Sequence, residues 1–235
     1  MTEWWTYSLS DFLLFSPRTY YRLLELYNID IWPAQIVALA LGAVILALLR
    51  RDGVRQARVI AAILAGCWLW VAWAFHLHRY ATINWAAPYF ATGFAIEALL
   101  LLWMGLVRGQ LRFRPGSDIA SRVGLGIFIF ALLGQPLMGP LLGRPWTQVE
   151  IFGVAPDPTA VATLGLLLTA VGRARWTFLL LPVLWCAVSG ATLWTMESPD
   201  AVVPPLAAFL TLLLAARQTL MPGRQPATRR FGRKA

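Results

Sequence analysis

The chain has 235 residues, of which 59% are hydrophobic and only 13% charged, with a formal net charge of +9. A soluble domain carries about a quarter charged residues, so this composition leaves too little polar surface for a water-soluble fold. The basic excess would point to nucleic acid in a soluble chain, but no basic face with interleaved aromatic side chains lies outside the apolar runs, and anionic lipid headgroups suffice as its partner.

Residues 1–30 carry no basic stretch followed by a short apolar core and a small-residue cleavage site, and so do not read as a signal peptide. They are rich in aromatic residues instead: Trp4, Trp5, Tyr7, Phe12, Phe15, Tyr20, Tyr21 and Tyr27. Ser10-Asp11 can cap one short helix, and Ser16 with Pro17 can open another. In the second, Tyr20, Leu23, Leu24 and Tyr27 share one face and Arg18, Arg22 and Glu25 lie off it. We expect an interfacial amphipathic segment on the outer side that serves as an anchor. The rival reading is a lid over the mouth of the bundle.

Seven apolar stretches follow, at 31–49, 59–75, 89–107, 123–142, 159–171, 177–196 and 202–216. A spanning helix needs about 20 residues, so the fifth and seventh are short. Basic residues occupy alternate gaps: Arg50, Arg51, Arg55 and Arg58; then Arg108, Arg112, Arg114 and Arg122; then Arg173 and Arg175; then Arg217 and the tail to Lys234. The other gaps hold only Arg18, Arg22, Arg79 and Arg144, with most of the acids. Positive loops stay cytoplasmic, so the pattern puts the N-terminus outside and residues 217–235 inside as a basic, disordered tail on lipid. Trp32, Trp85, Trp146 and Trp194 fall near outer helix ends, as an aromatic belt requires. The last six helices also read as three hairpins turning outside, each second helix opening after Pro88, Pro158 or Pro205. The fold class is therefore an all-α membrane protein, a bundle of about seven transmembrane helices over 31–216 preceded by an interfacial aromatic helix.

Few residues inside the runs can carry chemistry. Glu97 lies roughly 12 Å below the outer boundary of the third helix, where a charge would cost about 2.5–3.5 kcal/mol. Intramembrane acids mark proton or substrate paths, or are satisfied by a neighbouring helix. His76 and His78 close the second helix and could join Glu97 in a proton relay or, as a weaker candidate, a metal site. Gln135 precedes Pro136 and Pro140, and Pro182 interrupts the sixth helix; broken helices line transporter sites or merely fit their neighbours. Glu97, Gln135 and His76 are thus the candidate polar cavity. Two boundary motifs, Ser16-Pro17-Arg18 and Asp157-Pro158-Thr159, read as helix starts; Arg18 near Asp157 or Glu150 would tie the N-terminal segment over the bundle. Cys67 and Cys186 sit inside apolar runs and form no disulfide framework or metal motif. The sole lysine, Lys234, excludes a retinal Schiff base in the seventh helix, and no nucleotide-binding, metalloprotease or nucleophile-elbow signature is present.

Residues 8–21, with Ser16-Pro17-Arg18-Thr19-Tyr20-Tyr21, then Glu25-Leu26-Tyr27-Asn28 with Trp32-Pro33, and residues 149–159, ending in Pro156-Asp157-Pro158-Thr159, resemble a bacterial family of small integral membrane proteins of unknown function. The resemblance covers nearly the whole chain and implies a multi-pass bundle in the bacterial cytoplasmic (inner) membrane. It carries no catalytic residue with it. The residues themselves suggest a small permease-like or ligand-binding protein with an outward-facing polar cavity. The alternative is a non-catalytic accessory or structural subunit of a larger membrane complex. No cofactor is expected and an enzyme is the weakest reading; membrane lipids are the expected partners, and homo- and hetero-oligomers both remain open.

Overall fold

The computed structural model describes residues 15–220 apart from positions 52, 115, 117 and 173. The aromatic residues before Phe15, the Ser10-Asp11 cap and the tail beyond 220 lie outside the described residues. The described elements are helical: α1 (Pro17–Asp30), α2 (Ala34–Leu49), α3 (Val54–Trp70), α4 (Ala87–Leu100), α5 (Ile119–Ile129), α6 (Gln135–Leu141), α7 (Pro156–Thr169), α8 (Arg175–Thr195) and α9 (Val203–Leu220). Three of these continue into wider π turns, Val71–Leu77 after α3, Leu101–Val107 after α4 and Phe130–Gly134 between α5 and α6. The last one ends two residues before Pro136, which cannot donate a backbone hydrogen bond and crowds the preceding turn, so a widened ladder accommodates it.

Helices occupy each of the seven stretches expected from hydropathy. Five are long and apolar enough to cross a membrane: Val54–Thr82, Ala87–Val107, Ile119–Leu141, Arg175–Thr195 and Val203–Leu220. A sixth is added if α1 and α2, which meet at an 86° bend, count as one broken span. The last stretch, expected to be short, is an 18-residue helix. The fifth, α7, has 14 residues and every one of them is buried. At 1.5 Å per residue it is only about 21 Å long, and it is the central post of the bundle rather than a peripheral span. Small residues let α5 close on it. A Cβ on Gly165 would stand 2.6 Å from the Gly124 carbonyl oxygen, and one on Gly124 would stand 2.5 Å from the Gly165 oxygen. Such close backbone approach is how helices gain contact where no hydrophobic drive separates protein from lipid.

At one end, α1 crosses the bundle. Ser16 caps it, its Oγ accepting from the Thr19 N–H at 3.2 Å, with Pro17 in the first turn. The expected face of Tyr20, Leu23, Leu24 and Tyr27 forms and is buried against protein. Tyr27 Oη donates to the Val154 carbonyl at 2.8 Å and accepts from Trp70 Nε1 at 3.0 Å. Asn28 Nδ2 donates to the carbonyls of Thr147 and Val149. At the other end, buried Arg175 donates to the carbonyls of Ala170 and Ala215 and to Thr219 and Gln218, and Gln218 reaches Asp118. A guanidinium there ties the starts and ends of three helices together.

Candidate functional site

Apart from Arg175 and its partners at the other end, two sets of buried polar groups concern the candidate site. The first lies under α1, where three segments meet: the loop 142–155, the first turn of α7, and the turn between α8 and α9. Asp157 is 2% exposed. Its carboxylate accepts from Trp185 Nε1 at 2.8 Å and from Ser189 Oγ at 2.6 Å, both on α8. Glu150 accepts from Tyr20 Oη at 2.8 Å. Arg144 pairs with Asp200 and its guanidinium lies 4.7 Å from the centre of the Tyr21 ring. Ser198 joins Tyr21 Oη, at 2.7 Å, to Asp200. Two consecutive tyrosines of α1 are thereby bound to two different acids.

A cavity of about 20 Å³ sits among these groups, lined by Gln135, Arg144, Gln148, Glu150, Asp157 and Asp200 with a few apolar side chains. That is room for one water. Gln135 Oε1 and Arg144 Nε have no hydrogen-bond partner among the described residues, so an acceptor and a charged donor are left for an occupant. Glu150 keeps part of its surface on this cavity. Desolvation by the surrounding protein, reinforced by the Asp157 charge, nevertheless pushes its carboxyl well above the usual carboxylate range, against the Tyr20 hydrogen bond and Arg144.

The second set lies deeper. Glu97 on α4 and His76 in the wide turn after α3 are both 0% exposed, and neither has a hydrogen-bond partner among the described residues. The His76 ring is walled by aromatic rings, with Phe94 at 4.6 Å and Trp185 at 5.0 Å between centroids. Trp185 is the link between the sets, with its ring edge-to-face with His76 and its N–H on Asp157.

Of the expected trio, Gln135 therefore lines the polar cavity, whereas Glu97 and His76 do not. The two histidines also part company: His76 turns inward and His78 is exposed against Trp73. No group of three or more His, Cys, Asp or Glu residues suited to a metal occurs among the described residues. Asp157 is not a helix cap. Ala155 holds that position, and Asp157 turns its carboxylate to α8 instead. Thr159 does secure the helix start, its Oγ1 accepting from the Gly153 N–H and donating to the Ala155 carbonyl. The tie between the N-terminal segment and the acids runs through Tyr20, not Arg18, which faces a separate cleft. Trp185 and Ser189 carried no signal beyond their places in an apolar helix; the gathering of Glu150, Asp157 and Asp200 in the arginine-poor gaps was the one readable hint.

A family model described as a family of unknown function (DUF6064) matches residues 18–225, and the chain belongs to that family. No curated protein and no solved structure matches it significantly.

Proposed function

We propose that this is an integral membrane protein of the ligand-binding, permease-like kind. Its working site is the outward polar cavity under α1, and its deeper acid is a packing group. One observation carries the reading: two polar atoms at the α1 end that lack partners among the described residues, Gln135 Oε1 and Arg144 Nε, border the polar cavity, which Glu97 does not line. The size suits a water or an equally small hydrogen-bonding solute. A larger solute would enter only if α1 or the turn between α8 and α9 moved.

The charge bias supports placing this end outside the cytoplasm, and exposed Trp32, Trp85, Trp146 and Trp194 support a membrane boundary near it. To test both features, Met138, which lines the cavity, is replaced by Cys in a background lacking Cys67 and Cys186. A membrane-impermeant thiol reagent, larger than the resting cavity, should modify it in intact cells as α1 or the turn between α8 and α9 opens. Modification only after permeabilisation would reverse the orientation, and none at all would close the cavity to solvent.

The closed packing around Glu97 favours a second reading, an accessory subunit whose buried polar groups serve helix contacts. Stable co-purification with a larger membrane complex, with no effect of cavity substitutions, would select it.

A further inference from the structure

Three of the four arginines outside the basic gaps, Arg18, Arg22 and Arg79, converge on one cleft. It has a volume of about 410 Å³ and lies between α1 and the loop that follows the wide turn of α3. His78, Thr19 and Thr82 complete its polar rim; Leu23, Leu26 and Ile83 form its apolar floor. It shares no residue with the polar cavity. Two guanidiniums have carboxylate neighbours, Arg22 with Glu25 at 2.8 Å and Arg79 with Asp30, but neither carboxylate lines the cleft. Three cations against two acids leave it net positive, and neither acid is among the residues that line it.

Arginines on this side run against the charge bias of the chain, and gathering them in one place raises their mutual repulsion unless an anion is near. A guanidinium fork matches phosphate geometry, with two parallel N–H···O bonds. The partly exposed Leu26, at 42%, next to that fork gives the occupant an apolar side as well. A phosphate diester on an apolar body satisfies both requirements.

We propose that this cleft binds the phosphate of an anionic phospholipid headgroup, its acyl chains passing over Leu26 and Ile83. The site is independent of the polar cavity and takes from the functional reading only the presence of a membrane. Full-length protein is equilibrated in nanodiscs of mixed phosphatidylcholine and phosphatidylglycerol, and retained lipid is identified by native mass spectrometry after release.

Wild type should retain phosphatidylglycerol in preference, and the double variant Arg18→Gln with Arg22→Gln should lose about tenfold of that preference or more. Both side chains are exposed, so the fold should survive, as an unchanged melting curve would verify. Arg108→Gln, in a basic gap at the opposite end, should lower retention less than the double variant does. An equal loss in the control, or no loss in the double variant, overturns the site. Stabilisation by inorganic phosphate at millimolar levels, without lipid preference, overturns the lipid as source and assigns the cleft to a soluble phosphate compound.

Discussion

The acids under α1 and the acid inside α4 are both withdrawn from the surface, yet they are built in opposite ways. Asp157 has a donor on each oxygen, and Glu150 holds a tyrosine from a segment 130 residues away. Glu97 has no partner among the described residues, although it is fully buried. A carboxylate with fixed donors can lock chain segments together, and here it locks α1 and α8 onto the loop and first turn that lead into α7. A buried carboxyl without donors locks nothing and only adds a desolvation cost. On the proposed reading, the working group is marked by unmet hydrogen-bonding capacity beside a cavity and not by burial alone.

The contrast can be broken most forcefully at Asp157. Asp157→Leu strips the acceptor from Trp185 and Ser189 together and leaves two buried donors unpaired. It should destabilise the protein by about 3 kcal/mol or more, read as loss of melting temperature in detergent, whereas Asp157→Asn should retain part of the network. A mild effect of the leucine variant would mean that the network is ornamental. Glu97→Met should act with the opposite sign, neutral or stabilising by roughly 1–3 kcal/mol, because it removes an unpaired polar group at similar volume. A marked destabilisation by this variant would reveal a partner for Glu97 and erase the difference between the two sets.

Smaller effects sharpen the picture. Tyr20→Phe should cost about 1 kcal/mol and make α1 more susceptible to limited proteolysis, with the rest of the bundle unaffected. Unchanged cleavage would show that apolar burial of α1 suffices. Glu150 should give a pH signature. Its folded carboxyl lies above the unfolded value, about 4.3, so the folded state holds a proton that the unfolded state has released. Its contribution is full below that unfolded value and is lost as pH rises through the raised folded value. Glu150→Gln keeps an acceptor for Tyr20 and should flatten this decline, with little change at acid pH. An unaltered slope would assign the decline to other groups.

Much of the architecture was legible because apolar runs must be helical if lipid is their solvent. The face of α1 was also legible, since Tyr20, Leu23, Leu24 and Tyr27 alternate with charged positions. What α1 covers was not: an amphipathic face reads the same whether lipid or protein completes it. The pairing of Glu97 with Gln135 failed for a related reason. Depth along a helix can be counted from its end, but α4 is apolar nearly all round, so nothing in its pattern reveals which way position 97 points. Likewise α7 has no polar stripe, and its enclosure on every side, which aims Asp157 at α8, follows from close packing at Gly124 and Gly165. His76 and His78 are two residues apart, and a wide turn between Val71 and Leu77 is enough to send them to different surroundings.

The central claim is that solvent reaches the cavity under α1 and stops short of Glu97. The most direct measurement compares the rate at which an impermeant thiol reagent modifies Met138→Cys and Glu97→Cys, each in protein lacking Cys67 and Cys186. The account predicts that the cysteine at 138 reacts and the one at 97 stays unmodified while the protein remains folded. Comparable modification at both positions would contradict it, and would place an aqueous path through the helical interior.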